Sequence, residues 1–255
     1  MKPLSPNLKY ILPRIRKARR ILLLLDYDGT LTPIVRRPDK ALLSPKTKTV
    51  LKNLIKNKCI ILSVVTGRSI KKIKALVGLS NIYYAGNHGL EIGFGKSSSV
   101  IPEARKSLSL VKKLSAILKK ELWAVKNAEI EDKGVTISVH YRRVSSRQIP
   151  QLKKIVSEIT QSYVKSKKII VGGGKKIIEI RPPVKWDKGK YCLYLLKKFK
   201  GALPVYIGDD ITDEDAFKAL KKKGITIFVR GEKKTSCAQY YVTSIAKVAV
   251  FLKSI

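Results

Sequence analysis

The chain has only three cysteines in 255 residues, Cys59, Cys192 and Cys237, with no CxxC pair and an odd total. That spacing argues against a disulfide framework and fits buried thiols in a reducing compartment. Long apolar runs are also missing: the run at 21–25 is far short of a membrane span, and no charged-apolar-cleavage pattern precedes it. A cytoplasmic protein with no membrane partner is expected. Aromatic residues make up only 7% of the chain, no recognised nucleic-acid motif is present, and the basic residues are dispersed, all of which speaks against a nucleic-acid partner. Acids are scarce, 18 against 54 lysines and arginines, for a formal charge of +36. Such a charge attracts polyanions or phosphorylated substrates. Most of it, however, lies on stretches such as 46–58, 69–76, 107–122 and 188–200, where lysines alternate with apolar residues at helical spacing and form solvated faces.

The remaining composition, 44% hydrophobic and 28% charged with 16 glycines, is that of a folded enzyme-like chain with one large domain or two modest ones. Three apolar runs, 21–25, 59–65 and 204–207, end in polar residues: Asp26, Thr66-Gly67-Arg68 and Gly208-Asp209-Asp210. Continuous apolar runs indicate parallel strands buried on both faces, and the intervening helical stretches predict a doubly wound α/β core with its site at the strands' carboxyl ends. The texture changes between about 91 and 181 to alternating strands with two helices. In 134–142, Val135, Ile137, Val139 and Tyr141 alternate with Thr136, Ser138, His140 and Arg142, predicting a sheet covered by helices on one face. The segments 168–171 and 176–180, on either side of three glycines, read as a hairpin. The expected organisation is a core of residues 1–90 and 182–255 with an inserted α+β cap of residues 91–181.

Against the general scarcity of acids, two clusters stand out. Asp26-Tyr27-Asp28-Gly29-Thr30 sets two carboxylates two residues apart at a strand's end, where both project to the same side. A carboxylate can attack phosphorus once a metal ion neutralises the phosphoryl oxygens. Asp26 is the candidate nucleophile, and Asp28 the acid that protonates the leaving oxygen and then the base that activates water. Gly208-Asp209-Asp210-Ile211-Thr212-Asp213-Glu214-Asp215 gathers five acids at another strand's end. Mg²⁺ prefers hard oxygen ligands, so Asp26, Asp209 and the backbone carbonyl of Asp28 are its candidate shell. Asp213, with Asp210, is placed behind them to hold a ligating water or orient Asp209. Helix capping by one or more of these acids is expected as well.

The four stations Asp26/Asp28, Thr66, Lys188 and Asp209/Asp213 resemble the haloacid dehalogenase superfamily. By that resemblance Thr66 hydrogen-bonds a phosphoryl oxygen and Lys188 pairs with the phosphate and with Asp26; Lys190 is the rival lysine. Successive segments, Asn87-His88-Gly89-Leu90-Glu91, Glu131-Asp132-Lys133-Gly134, His140-Tyr141-Arg142, Glu179-Ile180-Arg181-Pro182 and 208–217, are similar in order to the trehalose-6-phosphate phosphatases of that superfamily. The resemblance implies a HAD-like core with a cap of the C2B type. It also implies a monomeric Mg²⁺-dependent enzyme hydrolysing trehalose 6-phosphate through an aspartyl-phosphate, the last step of trehalose synthesis. Substrate contacts are implied for Gly67, Arg68, Asn87, His88 and Glu91, and in the cap for Glu131, Lys133, His140, Arg142 and Glu179. A phosphatase for sucrose phosphate or mannosyl-phosphoglycerate shares the core chemistry, and a non-catalytic basic binding protein on the same fold is the alternative from another class.

Overall fold

The computed structural model describes residues 1–35, 37–174, 176–230 and 235–255. Strand β1 (Lys2–Pro3) and helix α1 (Leu4–Lys17) open the chain. Polar and basic as they are, the first twenty residues are thus mostly helical. Leu4, Ile11 and Ile15 fall on one helical face and are buried, while Lys9, Arg14 and Arg16 stay exposed. Strand β2 (Ile21–Asp26) follows, then α2 (Pro45–Leu54), β3 (Ile60–Val65), α3 (Ile70–Val77), β4 (Tyr83–Gly86), β5 (Glu91–Phe94) and β6 (Ser97–Val100). Ser44 caps α2 by accepting from the Thr47 amide, with Pro45 preset in the first turn. Next come α4 (Pro102–Arg105), α5 (Leu108–Glu121), β7 (Glu129–Asp132), β8 (Ile137–His140), α6 (Ile149–Lys165), β9 (Ile170–Gly174) and β10 (Ile177–Arg181). The chain closes with α7 (Lys188–Lys198), β11 (Leu203–Gly208), α8 (Glu214–Leu220), β12 (Ile225–Val229), β13 (Tyr240–Val242) and α9 (Ile245–Ser254).

The chain forms two compact units, residues 1–99 with 186–255, and residues 100–185. The first carries a sheet ordered β1-β13-β12-β11-β2-β3-β4-β5-β6. It is parallel from β1 through β4, and β5 runs antiparallel to β4. Alternation along β2 sends Leu23 and Leu25 into one core with α1, α2, α3 and α9, and Leu22 and Leu24 into another with α7 and α8. All four leucines are fully buried, each contributing roughly 1.5–3 kcal/mol. Chain order reverses at β2, which has β3 on one side and β11 on the other, so a crevice opens at its carboxyl end.

The second unit has a four-stranded antiparallel sheet, β7-β8-β10-β9, packed through Ile137, Val139 and Ile180 against α5 and α6. Two local expectations change. The three glycines lie within β9, paired with Ile177, Ile178 and Glu179, instead of forming the reversal. The alternating strand is also shorter than 134–142, and Thr136 and Ser138 are as buried as Ile137 and Val139. Of the cysteines only Cys192 is fully buried; Cys59 is exposed because it lies in the turn before β3, and Cys237 is partly covered. No helix among the described residues is long and apolar enough to cross a membrane.

Candidate active site

Strand ends assemble the site in the first unit. Asp26 closes β2 and is paired in register with Val65, which sets Thr66 beside it. On the other side Leu25 pairs with Ile207 of β11, two residues before Asp209. Carboxylate oxygens of Asp26, Asp209 and Asp213 come within 4.8 Å of one another, although the chain separates Asp26 from Asp209 by most of its length. Lys188, the first residue of α7, is 3% exposed and reaches in with its ammonium 2.8 Å from Asp26 Oδ1 and 2.7 Å from Asp213 Oδ1. Lys190 is exposed and uses its backbone amide on Asp187, the helix cap.

Asp213 is fully occupied. Its Oδ1 accepts from Lys188 Nζ and from the Tyr206 hydroxyl at 2.6 Å, and its Oδ2 accepts from the backbone amides of Asp209 and Asp210, each at 2.9 Å. With about four acceptor positions on a carboxylate, none is left for a metal. Asp213 is thus the brace that folds the acidic loop, and Asp210 completes a capping box with it. Asp209 is held from the other side by the Thr30 hydroxyl, which donates to its Oδ1 at 3.2 Å. Gly29, in the left-handed region at φ 89°, leaves room for this carboxylate, since a Cβ there would land on it.

Electrostatics of the cluster favour a cation. Burial raises the Asp26 carboxyl well above its ordinary range, opposed by the Lys188 charge and reinforced by Asp213 and Asp209. Asp209 is pushed up to about 6, by burial first and then by the charges of Asp213 and Asp210. Burial works against the Lys188 ammonium, yet the two carboxylates beside it prevail and hold its pKa above the ordinary value. Three carboxylates against one ammonium leave two negative charges, which one divalent ion matches. Asp26 and Asp209, with carboxylate oxygens within 4.8 Å of each other and hard-donor chemistry, fit such an ion.

Asp28 stands at the edge, part-exposed, and is gripped on both oxygens by Arg68, whose Nε and Nη2 donate at 2.7 and 2.5 Å. The guanidinium also lies over the Tyr27 ring, 5.5 Å from its centroid. Thr66 is buried, and its hydroxyl oxygen accepts from the Arg68 amide at 3.2 Å. Gly67 passes against the His88 ring, where a Cβ would not fit. Asn87 donates to Glu91 Oε2 at 2.6 Å, and the same oxygen accepts from the first amide of α3, Ile70 N, at 2.9 Å. Glu91 therefore caps a helix from a distant strand.

In the second unit Glu131 and Glu179 lie directly opposite Ser138 on either side of it, and His140 follows two residues along the same strand, so these side chains share one face. His140 Nε2 is 3.0 Å from Glu131 Oε2, and Lys133 Nζ is 3.4 Å from Glu179 Oε1. The buried Ser138 hydroxyl between the two glutamates has no hydrogen-bond partner among the described residues. Arg142 lies beyond the strand's end and is exposed.

Residues 24–246 match the family model described as trehalose-phosphatase. The chain belongs to the trehalose-phosphatase family. It is similar to trehalose-phosphate phosphatase B of Arabidopsis thaliana, 37% identical over 253 residues that cover 93% of this chain and 66% of the relative. A probable trehalose-phosphate phosphatase D of the same plant is 36% identical, with 93% and 67% covered. The chain thus spans about two thirds of the length of these relatives. Among solved structures, the C-terminal domain of C. albicans trehalose-6-phosphate phosphatase superposes with a TM-score of 0.81 at 24% identity, covering 96% of this chain and 95% of that one. The trehalose-6-phosphate phosphatase of Aspergillus fumigatus does so at 0.65 and 26% identity, with 96% and 95% covered. The two-unit α/β architecture is that of haloacid dehalogenase-type trehalose-phosphatases.

For this member of the trehalose-phosphatase family, sequence reading missed Tyr206 and Thr30, which hold Asp213 and Asp209 in place. Tyr206 did leave a signal: a buried hydroxyl inside an otherwise apolar strand must find a partner. Thr30 left none, because its partner is 179 residues away.

Proposed function

We propose that the chain is a phosphatase that hydrolyses trehalose 6-phosphate to trehalose and phosphate, with Asp26 as nucleophile and Mg²⁺ as cofactor. The observation that carries this reading is the buried cluster in which Lys188 ties Asp26 to Asp213 while Asp209 faces Asp26 across a gap suited to one ion. Asp26 and Asp209, with the backbone carbonyl of Asp28, would hold Mg²⁺, which when bound supplies neutralisation of the phosphoryl oxygens. Lys188 fixes one oxygen of Asp26, leaving the other to attack phosphorus and form an aspartyl-phosphate as the P–O bond to the sugar breaks. Asp28 gives a proton to the leaving sugar oxygen and then takes one from the water that cleaves the acyl-phosphate. Because Arg68 engages both oxygens of Asp28, the guanidinium must let go first, and a phosphate anion is a natural alternative partner for it. The Thr66 hydroxyl is suited to a phosphoryl oxygen.

The sugar would be read by Glu131, Lys133, His140 and Glu179, whose carboxylates and cation can pair with hydroxyls all round a glucose ring. The family match favours trehalose 6-phosphate over the sucrose-phosphate and mannosyl-phosphoglycerate readings. The test is phosphate release from a panel of phosphorylated sugars, with Mg²⁺ and with a chelator, for the native chain and Asp26→Asn. Metal-dependent release from trehalose 6-phosphate that Asp26→Asn abolishes, with unchanged folding, is expected. Turnover by Asp26→Asn at the native rate would remove Asp26 as nucleophile, and preference for another sugar would replace the substrate.

A further inference from the structure

On the sheet face packed by α7 and α8, the outer strands β5 and β6 run past the flank of α7 and leave a cavity of about 230 Å³. None of the catalytic candidates lines it. In a chain with few aromatic residues, five rings gather around this spot. Tyr83 packs on Phe94 at 4.7 Å and on Phe199 at 5.4 Å, and Tyr191 lies 6.5 Å from Tyr194. Phe94 and Tyr194 are 48% and 41% exposed, an unusual outlay of aromatic surface toward water. Ser97, Ser98 and Ser99 of β6 form the opposite wall; alternation along the strand puts the hydroxyls of Ser97 and Ser99 on one face and that of Ser98 on the other, and no side-chain hydrogen bond of Ser97 or Ser99 occurs among the described residues. Among the described residues of the lining the one cation is Lys198, which rests over the Tyr83 ring at 5.1 Å and beside Phe199 at 5.9 Å.

We propose that this cavity binds one uncharged pyranose ring, a sugar site separate from Asp26 and its neighbours. Size sets the scale: the volume is below the roughly 300–1,000 Å³ of clefts that hold drug-sized ligands and matches one six-membered ring seated against the wall. Chemistry sets the second. Partly exposed ring faces suit the apolar C–H face of a sugar, and hydroxyls that both donate and accept suit its rim. A plain aromatic ligand would displace water from the Ser97 and Ser99 hydroxyls without replacing its hydrogen bonds, at a cost. A phosphorylated or carboxylated ligand would find a single ammonium already placed over an aromatic ring. The site does not depend on the chemistry at Asp26, so the phosphatase reading and this one can fail separately.

The experiment is titration of the full chain with glucose, followed through aromatic ring signals in NMR spectra, with benzoate and inorganic phosphate as comparison probes. Saturable shifts of the Tyr83, Phe94 and Tyr194 signals with glucose alone are expected. Tyr194→Ala and Phe94→Ala, both at part-exposed positions, should keep the native fold and turnover, with Phe94→Ala losing a few degrees of melting temperature through its contact with Tyr83, and should weaken glucose binding about tenfold, the loss expected for an aromatic packing partner. Glucose binding that leaves these ring signals unmoved, equal shifts with benzoate or inorganic phosphate, or native affinity in both variants would overturn the proposal.

Discussion

Replacing Lys188 with methionine tests the logic of the buried cluster most directly, because the aliphatic stem is kept and only the charge is lost. At 2.8 Å from Asp26, one ion pair is worth about 6 kcal/mol at an effective dielectric of about 20, and Asp213 supplies a second. Desolvation of the ammonium, which is 3% exposed, takes back much of that. Removing one member of a buried pair nevertheless leaves uncompensated carboxylates and costs about 3–5 kcal/mol. The raised Lys188 pKa keeps this contribution complete below about pH 10, losing it only as pH rises through the folded-state value. Urea unfolding in chelator should therefore show Lys188→Met less stable by about 3–5 kcal/mol, or about 6–20 °C in melting temperature. Added Mg²⁺ should recover more stability in the variant than in the native chain, since three carboxylates then lack a counter-charge. Turnover should fall at least about a hundredfold, as for loss of a preorganised electrostatic group. Equal stability of the two proteins in chelator would refute the account of Lys188 as the counter-ion of the site.

Further expectations follow from neighbouring contacts. Tyr206→Phe removes a 2.6 Å hydrogen bond to a charged acceptor, so it should cost about 1.5–3 kcal/mol and raise the Mg²⁺ concentration for half-maximal activity; unchanged metal dependence would count against Asp213 as a brace. With its carboxyl at about 6, Asp209 holds its proton more tightly folded than unfolded. Metal-free stability should accordingly fall as pH rises from about 4 to about 6, and Mg²⁺ affinity measured by calorimetry should drop as pH falls below about 6. A flat profile would sink that assignment. Gly29→Ala places a Cβ on the Asp209 carboxylate at a left-handed backbone position; it should destabilise by about 1–3 kcal/mol and weaken metal binding, which native-like thermal and calorimetric curves would contradict.

Much of this was legible from sequence. Apolar runs ending in polar residues located β2, β3 and β11, and the scarcity of acids made the clusters at 26–28 and 209–215 conspicuous. Helical lysine-rich stretches located α2, α3, α5 and α7 because solvated and buried faces alternate with a period near 3.6. Helix α1 is not legible there: three prolines and a basic composition mask the spacing of Leu4, Ile11 and Ile15, which becomes decisive only when a core is present to receive it. Exposure of Cys59 likewise depended on where a turn falls.

Sequence by itself determined which groups can do chemistry, since a carboxylate, an ammonium and a hydroxyl carry their reactivity wherever they stand. Only the tertiary structure decided how they divide the work. It placed Lys188 rather than Lys190 among the carboxylates and filled every acceptor position of Asp213. It also set Arg68 on Asp28 and Glu91 at the start of α3. The reason is physical: a charge's role depends on distances and burial, and strand order, not chain order, sets both.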